Sequence, residues 1–297
     1  MQLIETQSSQ FLGQCHPLAL VLYFGELFTG LLLFNHILIT GLFFLGLCGL
    51  CCWYFGGRAV WRVVRSVLSL MGLILFLNIL LNRAGVSWWQ FTLGTWHWEV
   101  SRVGVLYGAT MALSLGGMVM AFVLFNGCVT ASQLRALLNP VAPRLAMLLT
   151  LAIRFVNLFI QQFRRLLLLQ RTRGLVVTAG PWRHRLTETG NLLRVLLLGS
   201  ISRAMETAIL MEARGYGGRH RSQYQHYRWR LADTSFTLVA GGMFVVILGL
   251  RVHGWGVTPN IYSLPGVLAT DWWVAGVASL VVGLPLIGEG LYRLCQN

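Results

Sequence analysis

The stretch that decides the fold is residues 186–215, LTETGNLLRVLLLGSISRAMETAILMEARG. Apolar side chains recur in it at three- and four-residue steps, which is the spacing of one face of a helix. Thr187 is a candidate N-cap, and Gly215 is a candidate C-cap because glycine takes the left-handed conformation without strain. The pattern predicts one long amphipathic helix that ends on Ala213 and Arg214.

An upstream run, residues 143–174, repeats this design as PRLAMLLTLAIRFVNLFIQQFRRLLLLQRTRG. Its apolar side chains also follow helical spacing, and most of its arginines fall off that stripe. Pro140 and Pro143 mark the start, since proline suits a first helical turn. Gly174, directly after Arg173, is the candidate C-cap. The sequence therefore predicts two long amphipathic helices, each ending in Arg-Gly.

The composition of the chain is that of a membrane protein. Of its 297 residues, 56% are hydrophobic and only 11% are charged, whereas an average soluble domain has about 25% charged residues. Six further runs are apolar enough to cross a bilayer, which takes about 20 residues of helix. They lie near residues 17–34, 36–55, 67–81, 103–125, 236–250 and 273–291. We predict an all-α polytopic membrane protein with about six transmembrane helices and two long amphipathic helices beside them.

The placement of arginine predicts the topology. Residues 126–232 hold sixteen arginines against three glutamates, and the predicted short loop after the second span holds Arg58, Arg62 and Arg65. Because arginine-rich loops stay on the cytoplasmic side, both termini are predicted in the cytoplasm and the chain in the inner membrane. The predicted parts are residues 1–125 with spans one to four, a cytoplasmic segment 126–232, and residues 233–297 with spans five and six.

The charged residues also exclude several classes of function. The net charge of +14 is compatible with nucleic acid, but it lies beside spans too apolar for water, so we assign it to anionic lipid instead. All 23 basic residues are arginine. Without lysine there is neither an ordinary phosphate-binding P-loop nor a Schiff base, so any use of ATP must come from a partner. The histidines and cysteines lack metal-ligand spacing, and no metal or cofactor is predicted.

A few residues inside the predicted spans need separate treatment, because an ionisable group in a span is a candidate functional group. Glu289 is predicted near the membrane interface and solvated. Glu26 either faces the bundle near Asn78 or Asn82 or serves an ion pathway. Glycines in the fourth span permit close approach of helices, within the bundle or against a partner; they are Gly108, Gly116 and Gly117.

An Arg-Gly helix end admits two interpretations. Arginine in the last turn is favoured by the helix dipole, by roughly 0.3–1 kcal/mol, and the glycine ends the helix, so both ends are explained as plain caps. A guanidinium on a fixed helix tip is also well suited to bidentate pairing with a carboxylate of another protein. Two such tips would engage two copies of a partner. The residues alone leave both interpretations open.

These features resemble the transmembrane T component of energy-coupling-factor (ECF) transporters, the CbiQ/EcfT family named for cobalt transport. Its members carry two Ala-Arg-Gly signatures at the ends of cytoplasmic coupling helices. The second is complete here at residues 213–215, and the first reads Thr172-Arg173-Gly174, with threonine in place of alanine. The resemblance is strongest over about residues 100–217. Upstream of the first signature, Asn157 and Gln162 depart from the proline and glutamate common in the family.

The resemblance implies a non-catalytic scaffold. Its partners would be two cytoplasmic ABC-type ATPases and a substrate-binding S component that takes up a metal ion (cobalt or nickel) or a vitamin. The implied ATPase-coupling residues are Arg173, Gly174, Ala213, Arg214 and Gly215. An integral membrane enzyme with a cytoplasmic-face active site is the alternative, although the cytoplasmic segment shows no paired-aspartate or metalloprotease motif. A self-sufficient secondary transporter usually shows internal repeats among its spans, and none is evident here.

Overall fold

The computed structural model describes residues 15–82, 87–93, 96–172, 182–216, 229, 231–256 and 269–296. Its elements, in chain order, are α1 (Pro17–Leu33), α2 (Ile37–Phe55), α3 (Gly57–Leu81), β1 (Ser87–Leu93), β2 (Trp96–Ser101), α4 (Arg102–Cys128), α5 (Ala131–Val141), α6 (Pro143–Thr172), α7 (Trp182–Ala213), α8 (Leu231–Val252) and α9 (Ala269–Gln296). The prediction of an all-α polytopic membrane protein is confirmed. The structure adds one two-stranded antiparallel hairpin between α3 and α4.

The chain divides into two compact units. One comprises residues 1–134 and 227–297, and the other comprises residues 135–226. The first unit contains α1 to α4, α8 and α9, which are the helices that carry the six predicted spans. The second contains α6 and α7 and lies inside the predicted segment 126–232. That this segment is cytoplasmic remains a prediction.

The membrane-crossing helices differ in part from those predicted. By length and composition, six described helices could cross a membrane: α2, α3, α4, α8, residues Pro143–Leu169 of α6 and residues Asp271–Gly290 of α9. α1 is apolar but shorter, with 17 residues. α6, which the sequence predicts as an amphipathic helix beside the spans, therefore also meets these two criteria. Its cytoplasmic placement stays a prediction.

The limits of two predicted spans need correction. α3 begins at Gly57 rather than near residue 67, and α8 runs over Leu231–Val252, beyond the predicted 236–250. Arg58, Arg62 and Arg65 therefore lie within α3 and not in a loop. Long arginine side chains place their charge at the membrane surface while the backbone stays helical. Charge was thus a poor marker of where this helix begins.

The core of the first unit is built around α1. Its side chains Leu20, Tyr23 and Leu27 are fully buried, and they belong to one hydrophobic cluster with residues of α2, α4, α8 and α9. The buried face of α1 recurs at three- and four-residue steps, which is the period of one helix face. α3, in contrast, contributes only Val60 and Val67 to this cluster, so most of its apolar surface is left for lipid.

Tyr23 links α1 to α9 and provides a test of this core. Its hydroxyl donates to the backbone carbonyls of Val281 and Val282, at 3.2 and 3.3 Å. We expect Tyr23→Phe to lower the free energy of unfolding in detergent by about 0.5–1.5 kcal/mol, because a buried hydrogen bond is lost without loss of ring packing. Tyr107→Phe is the control, since the Tyr107 hydroxyl has no hydrogen-bond partner within the described ranges. Equal stability of the two variants would contradict the expectation.

Glycines of α4 bring α3 and α4 close together. A Cβ atom on Gly108 would lie 2.8 Å from Cβ of Asn78, and one on Gly104 would lie 2.9 Å from the Asn82 carbonyl oxygen. A Cβ on Gly116 would meet the Met71 sulfur of α3, and one on Gly117 would meet Leu31 of α1. The sequence left open whether Gly108, Gly116 and Gly117 pack within the bundle or against a partner. The structure shows that they pack within the bundle.

The tryptophan-rich connection between α3 and α4 forms the hairpin. β1 and β2 pair antiparallel, with Gln90 opposite Glu99 and Thr92 opposite His97, and the register shifts between Ser87 and Trp89. Aromatic and β-branched residues favour strands, and both segments are rich in them.

The two glutamates of the spans have different surroundings. Glu289 is buried, and its Oε2 accepts a hydrogen bond from the Trp53 indole nitrogen at 3.2 Å. The prediction that Glu289 is solvated is therefore wrong, because Trp53 covers it from α2. Glu26 is half-buried, and its Oε2 has no hydrogen-bond partner within the described residues. Asn78 donates instead to the Ile74 carbonyl of its own helix.

Candidate functional site

The candidate site lies in the second unit, on the two long helices predicted from the sequence. α6 ends at Thr172, and α7 begins at Trp182 and ends at Ala213. The predicted N-cap of α7 is wrong: Thr187 lies inside the helix, where its hydroxyl donates to the Arg183 carbonyl at 3.1 Å. Threonine can bond back to the carbonyl four residues earlier without ending a helix, so its presence did not mark the start.

α6 and α7 border an open, mostly apolar cavity of about 390 Å³ within this unit. Its lining includes Phe155, Val156 and Phe159 of α6, with Ile201 and Ala204 of α7. The first three belong to the apolar stripe predicted from helical spacing. Many other apolar side chains of the two helices stay exposed, among them Leu148, Leu198, Met205 and Ile209. Surface of this kind requires lipid or another protein to cover it.

The end of α7 has a defined cap. Gly215 has φ +76°, and its N–H donates to the Glu212 carbonyl at 2.9 Å. The N–H of Tyr216 donates to the Met211 carbonyl at 3.0 Å. This pair of bonds around a left-handed glycine is the Schellman motif, with Arg214 as the last half-helical residue. The prediction that Gly215 ends the second helix is confirmed.

Arg214 stands exposed at this fixed end. Its backbone N–H donates to the Leu210 carbonyl at 3.2 Å, which keeps the residue on the helix. No ion pair joins it to Glu212 or to any other acidic side chain in the described part of the chain. The guanidinium is therefore held on a rigid backbone with its donors turned to the surroundings.

The first Arg-Gly end cannot be placed in the same way. Arg173 and Gly174 lie outside the described residues, which end here at Thr172. The Thr172 hydroxyl donates to the Leu169 carbonyl at 2.8 Å, so α6 is helical up to the residue before Arg173. The coupling roles of both signatures, residues 172–174 and 213–215, remain predictions.

The cap itself does not require arginine. α8 ends in the same motif, in which Gly254 has φ +79° and the N–H of Trp255 donates to the Leu250 carbonyl at 3.0 Å. His253 stands there in the position of Arg214. The glycine therefore ends the helix. The cap does not depend on the side chain of the preceding residue.

We expect Gly215→Ala to loosen the end of α7. An alanine in the left-handed region costs roughly 1–2 kcal/mol, so amide hydrogen exchange at residues 215 and 216 should be roughly tenfold faster. Gly199→Ala is the matched control, because Gly199 lies inside the same helix with open space around a Cβ. Unchanged exchange at residues 215 and 216 would show that the cap does not depend on the glycine.

Two polar side chains lie close together in the first unit although no sequence pattern predicts it. Nε2 of His36 lies 3.8 Å from Oδ2 of Asp271, and both residues are buried in the first unit. No group of three or more His, Cys, Asp or Glu side chains able to hold a metal ion occurs among the described residues. Cys51 is buried, Cys48 is half-buried and Cys52 is exposed, all as free thiols. The alternative of a membrane enzyme gains no metal centre from these residues.

Comparison with known proteins places the chain in a family. The family model CbiQ, described as "Cobalt transport protein", matches residues 17–225. An energy-coupling factor transporter transmembrane protein EcfT from Staphylococcus aureus is 26% identical over 210 residues, or 66% of this chain and 76% of the relative. The EcfT of Bacillus subtilis is 26% identical over 187 residues, or 58% of this chain and 69% of the relative.

A third relative, the EcfT of Listeria innocua, is 36% identical over 105 residues. That match spans 34% of this chain and 40% of the relative, so it concerns less than half of either protein. The family model covers well over half of this chain and includes both long helices up to Tyr216. The chain therefore belongs to the CbiQ/EcfT family of transmembrane T components of energy-coupling-factor transporters.

Proposed function

We propose that this chain is the scaffold that couples ATP hydrolysis by two cytoplasmic ABC-type ATPases to a substrate-binding S component. The complex would take up a metal ion, such as cobalt or nickel, or a vitamin. The observation that carries the proposal is the end of α7, where the Schellman cap holds an exposed Arg214 without an acidic partner in the described residues. Such an end is suited to docking into a carboxylate-lined groove.

The chemistry of the helix end favours a protein contact. The guanidinium is always charged and offers a planar fork of donors that matches a carboxylate in bidentate fashion. Ala213 and Gly215, on either side of Arg214, add little bulk, so the arginine side chain can enter a narrow groove. Arg173, followed by Gly174, would provide the equivalent tip at the end of α6. Two tips on one unit would engage two ATPase subunits, one each.

The exposed apolar surface of α6 and α7 supports the proposed contact with the S component. Leu148, Met205 and Ile209 are each more than half exposed, at 64%, 65% and 65%. A membrane-embedded S component would bury such side chains, and movement of the two helices by the ATPases would reach it through this contact. The cavity of about 390 Å³ between the helices leaves room for their packing to change.

The proposed orientation places both termini and the unit of residues 135–226 on the cytoplasmic side of the cell membrane. The excess of arginine in this segment agrees with the positive-inside rule. Anionic lipid would be attracted to the same side. No nucleic acid partner is proposed, and nucleotide binding would belong to the ATPases, because the chain has no lysine for a P-loop.

The test is purification of the tagged chain from membranes in which ABC ATPases and candidate S components of the same cell are present. We expect two ATPase subunits and an S component to remain bound in mild detergent, and the substrate of the S component to identify the cargo. If the chain purifies without an ATPase, the scaffold function is wrong and the membrane-enzyme alternative has to be tested instead.

A further inference from the structure

The first unit contains an apolar cavity beside the turn between α2 and α3. Its volume is about 240 Å³. It is lined by three helices, with Cys51 and Phe55 from α2, Ala59 and Val63 from α3, and Met120 from α4. Apart from Arg62, which stands in the lining, the surrounding side chains carry no charge. The cavity therefore offers room for hydrocarbon with one cation at its edge.

Arg62 is the middle member of a row of cations. Arg58, Arg62 and Arg65 follow steps of four and three residues, so they lie on one face of α3. All three are exposed. Within the described ranges none of them is paired with an acidic side chain. Three neighbouring positive charges without acidic partners attract an anion, such as a phosphate group, to this face of α3.

The turn at the start of α3 adds to this attraction. Gly56, the N-cap residue, has no side chain to cap the helix, so the amides of the first turn are left without such a partner. These amides and the helix dipole favour an anion at the same end. A Cβ on Gly56 or Gly57 would meet no atom within 4 Å, so a headgroup has space to approach the backbone.

Two tryptophans indicate how deep in the membrane the cavity and the arginine row lie. Trp53 on α2 and Trp61 on α3 are 55% and 66% exposed. Exposed tryptophan is enriched where hydrocarbon meets the headgroups, so the row of arginines lies at the level of lipid phosphates. The cavity is lined by apolar residues of α2 and α4 as well as α3, which suits an acyl chain.

We propose that the first unit binds one anionic phospholipid here, with its phosphate on Arg58 and Arg62 and part of an acyl chain in the cavity between α2, α3 and α4. A free phosphate would use the arginines and leave the cavity empty. A zwitterionic lipid would fill the cavity but bring its own positive charge to the arginines. Only an anionic lipid satisfies both features. The inference does not depend on the proposed coupling function.

The test uses the full chain, purified and delipidated in detergent, with native mass spectrometry as the readout. The first dioleoylphosphatidylglycerol molecule should bind at least about tenfold more tightly than the first dioleoylphosphatidylcholine molecule. The Arg58→Gln/Arg62→Gln variant should lose that preference. Arg194→Gln, which removes an exposed arginine of α7, is the control and should retain the preference. Equal binding of the two lipids, or an equal loss in the control, would overturn the proposal.

Two further measurements separate the alternatives. Ala59→Phe fills the cavity and should weaken binding of phosphatidylglycerol at least about fivefold while all arginines stay in place. sn-Glycerol 3-phosphate in large excess should fail to displace the lipid. If Ala59→Phe binds the lipid normally, or if glycerol phosphate displaces it, the site is an anion site on the arginines and not a lipid site. Size-exclusion profiles identical to the parent chain establish that each variant is folded.

Discussion

The double substitution Arg173→Ala/Arg214→Ala is expected to abolish binding of the ATPases and to reduce ATP-driven uptake to background. Each arginine is proposed to pair with carboxylates in a groove from which water is excluded. Truncating one partner of such a pair costs about 2–5 kcal/mol, much of it from the charge left unpaired. Loss of both contacts therefore lowers the affinity by several orders of magnitude. Quantitative co-purification and uptake into proteoliposomes measure the two effects.

The single variants sharpen this expectation. Arg214→Lys keeps the charge but loses the planar fork, so binding should fall between that of the parent chain and that of Arg214→Ala. The cap should survive in both, because α8 ends in the same motif with His253 in that position. Unchanged hydrogen exchange at Gly215 and Tyr216 would therefore show that a loss of binding comes from the guanidinium and not from a frayed helix.

The matched control removes one exposed arginine from each long helix. Arg144→Ala/Arg194→Ala changes the net charge by the same amount, and both residues are exposed. This variant should bind the ATPases and transport normally. If the Arg173→Ala/Arg214→Ala protein also transports at the normal rate, the two Arg-Gly ends are helix caps only, and ATPase docking has to be sought elsewhere.

Local chemistry explains which parts of the fold could be predicted. The end of α7 was predictable because glycine adopts the left-handed conformation of a helix cap more readily than any other residue, and glycine stands at position 215. The course of both long helices followed from apolar side chains at helical spacing. The start of α3 was not predictable from charge, because Arg58, Arg62 and Arg65 lie within the helix and long arginine side chains are compatible with a helix end at a membrane surface.

Contacts between residues far apart in the chain could not be predicted from helical spacing or from cap residues. The hydrogen bond from Trp53 to Glu289 and the approach of His36 to Asp271 each join residues more than two hundred positions apart. Helical spacing tells which face of an element is apolar, but not which other helix will cover it. The sequence shows that Glu289 is an ionisable residue within an apolar span, but not which residue donates a hydrogen bond to it. The docking role of Arg214 is open for a related reason, since its partner lies on another protein.

The second large effect is expected at the contact between α3 and α4. Gly104, Gly108, Ala112 and Gly116 recur every four residues on α4, and small residues at this spacing let helix backbones approach closely. We expect Gly104→Leu to prevent recovery of monodisperse protein, because a Cβ there would meet the Asn82 carbonyl oxygen at 2.9 Å. A backbone atom cannot turn aside as a side chain does, so the end of α3 must move away from α4. Overpacking of this kind costs about 1–3 kcal/mol or more.

The neighbours of each glycine predict an order of effects among alanine variants, measured as the midpoint of thermal unfolding in detergent. Gly104→Ala should lower the midpoint more than Gly116→Ala, since a Cβ at 116 meets the Met71 sulfur at the end of a flexible side chain. Gly72→Leu is the control, because Gly72 lies on α3 with open space around it, and it should raise the midpoint or leave it unchanged. If Gly104→Leu were as stable as Gly72→Leu, the backbones of α3 and α4 would lie further apart than described. Close packing of this helix pair would then contribute little to holding the transmembrane unit together.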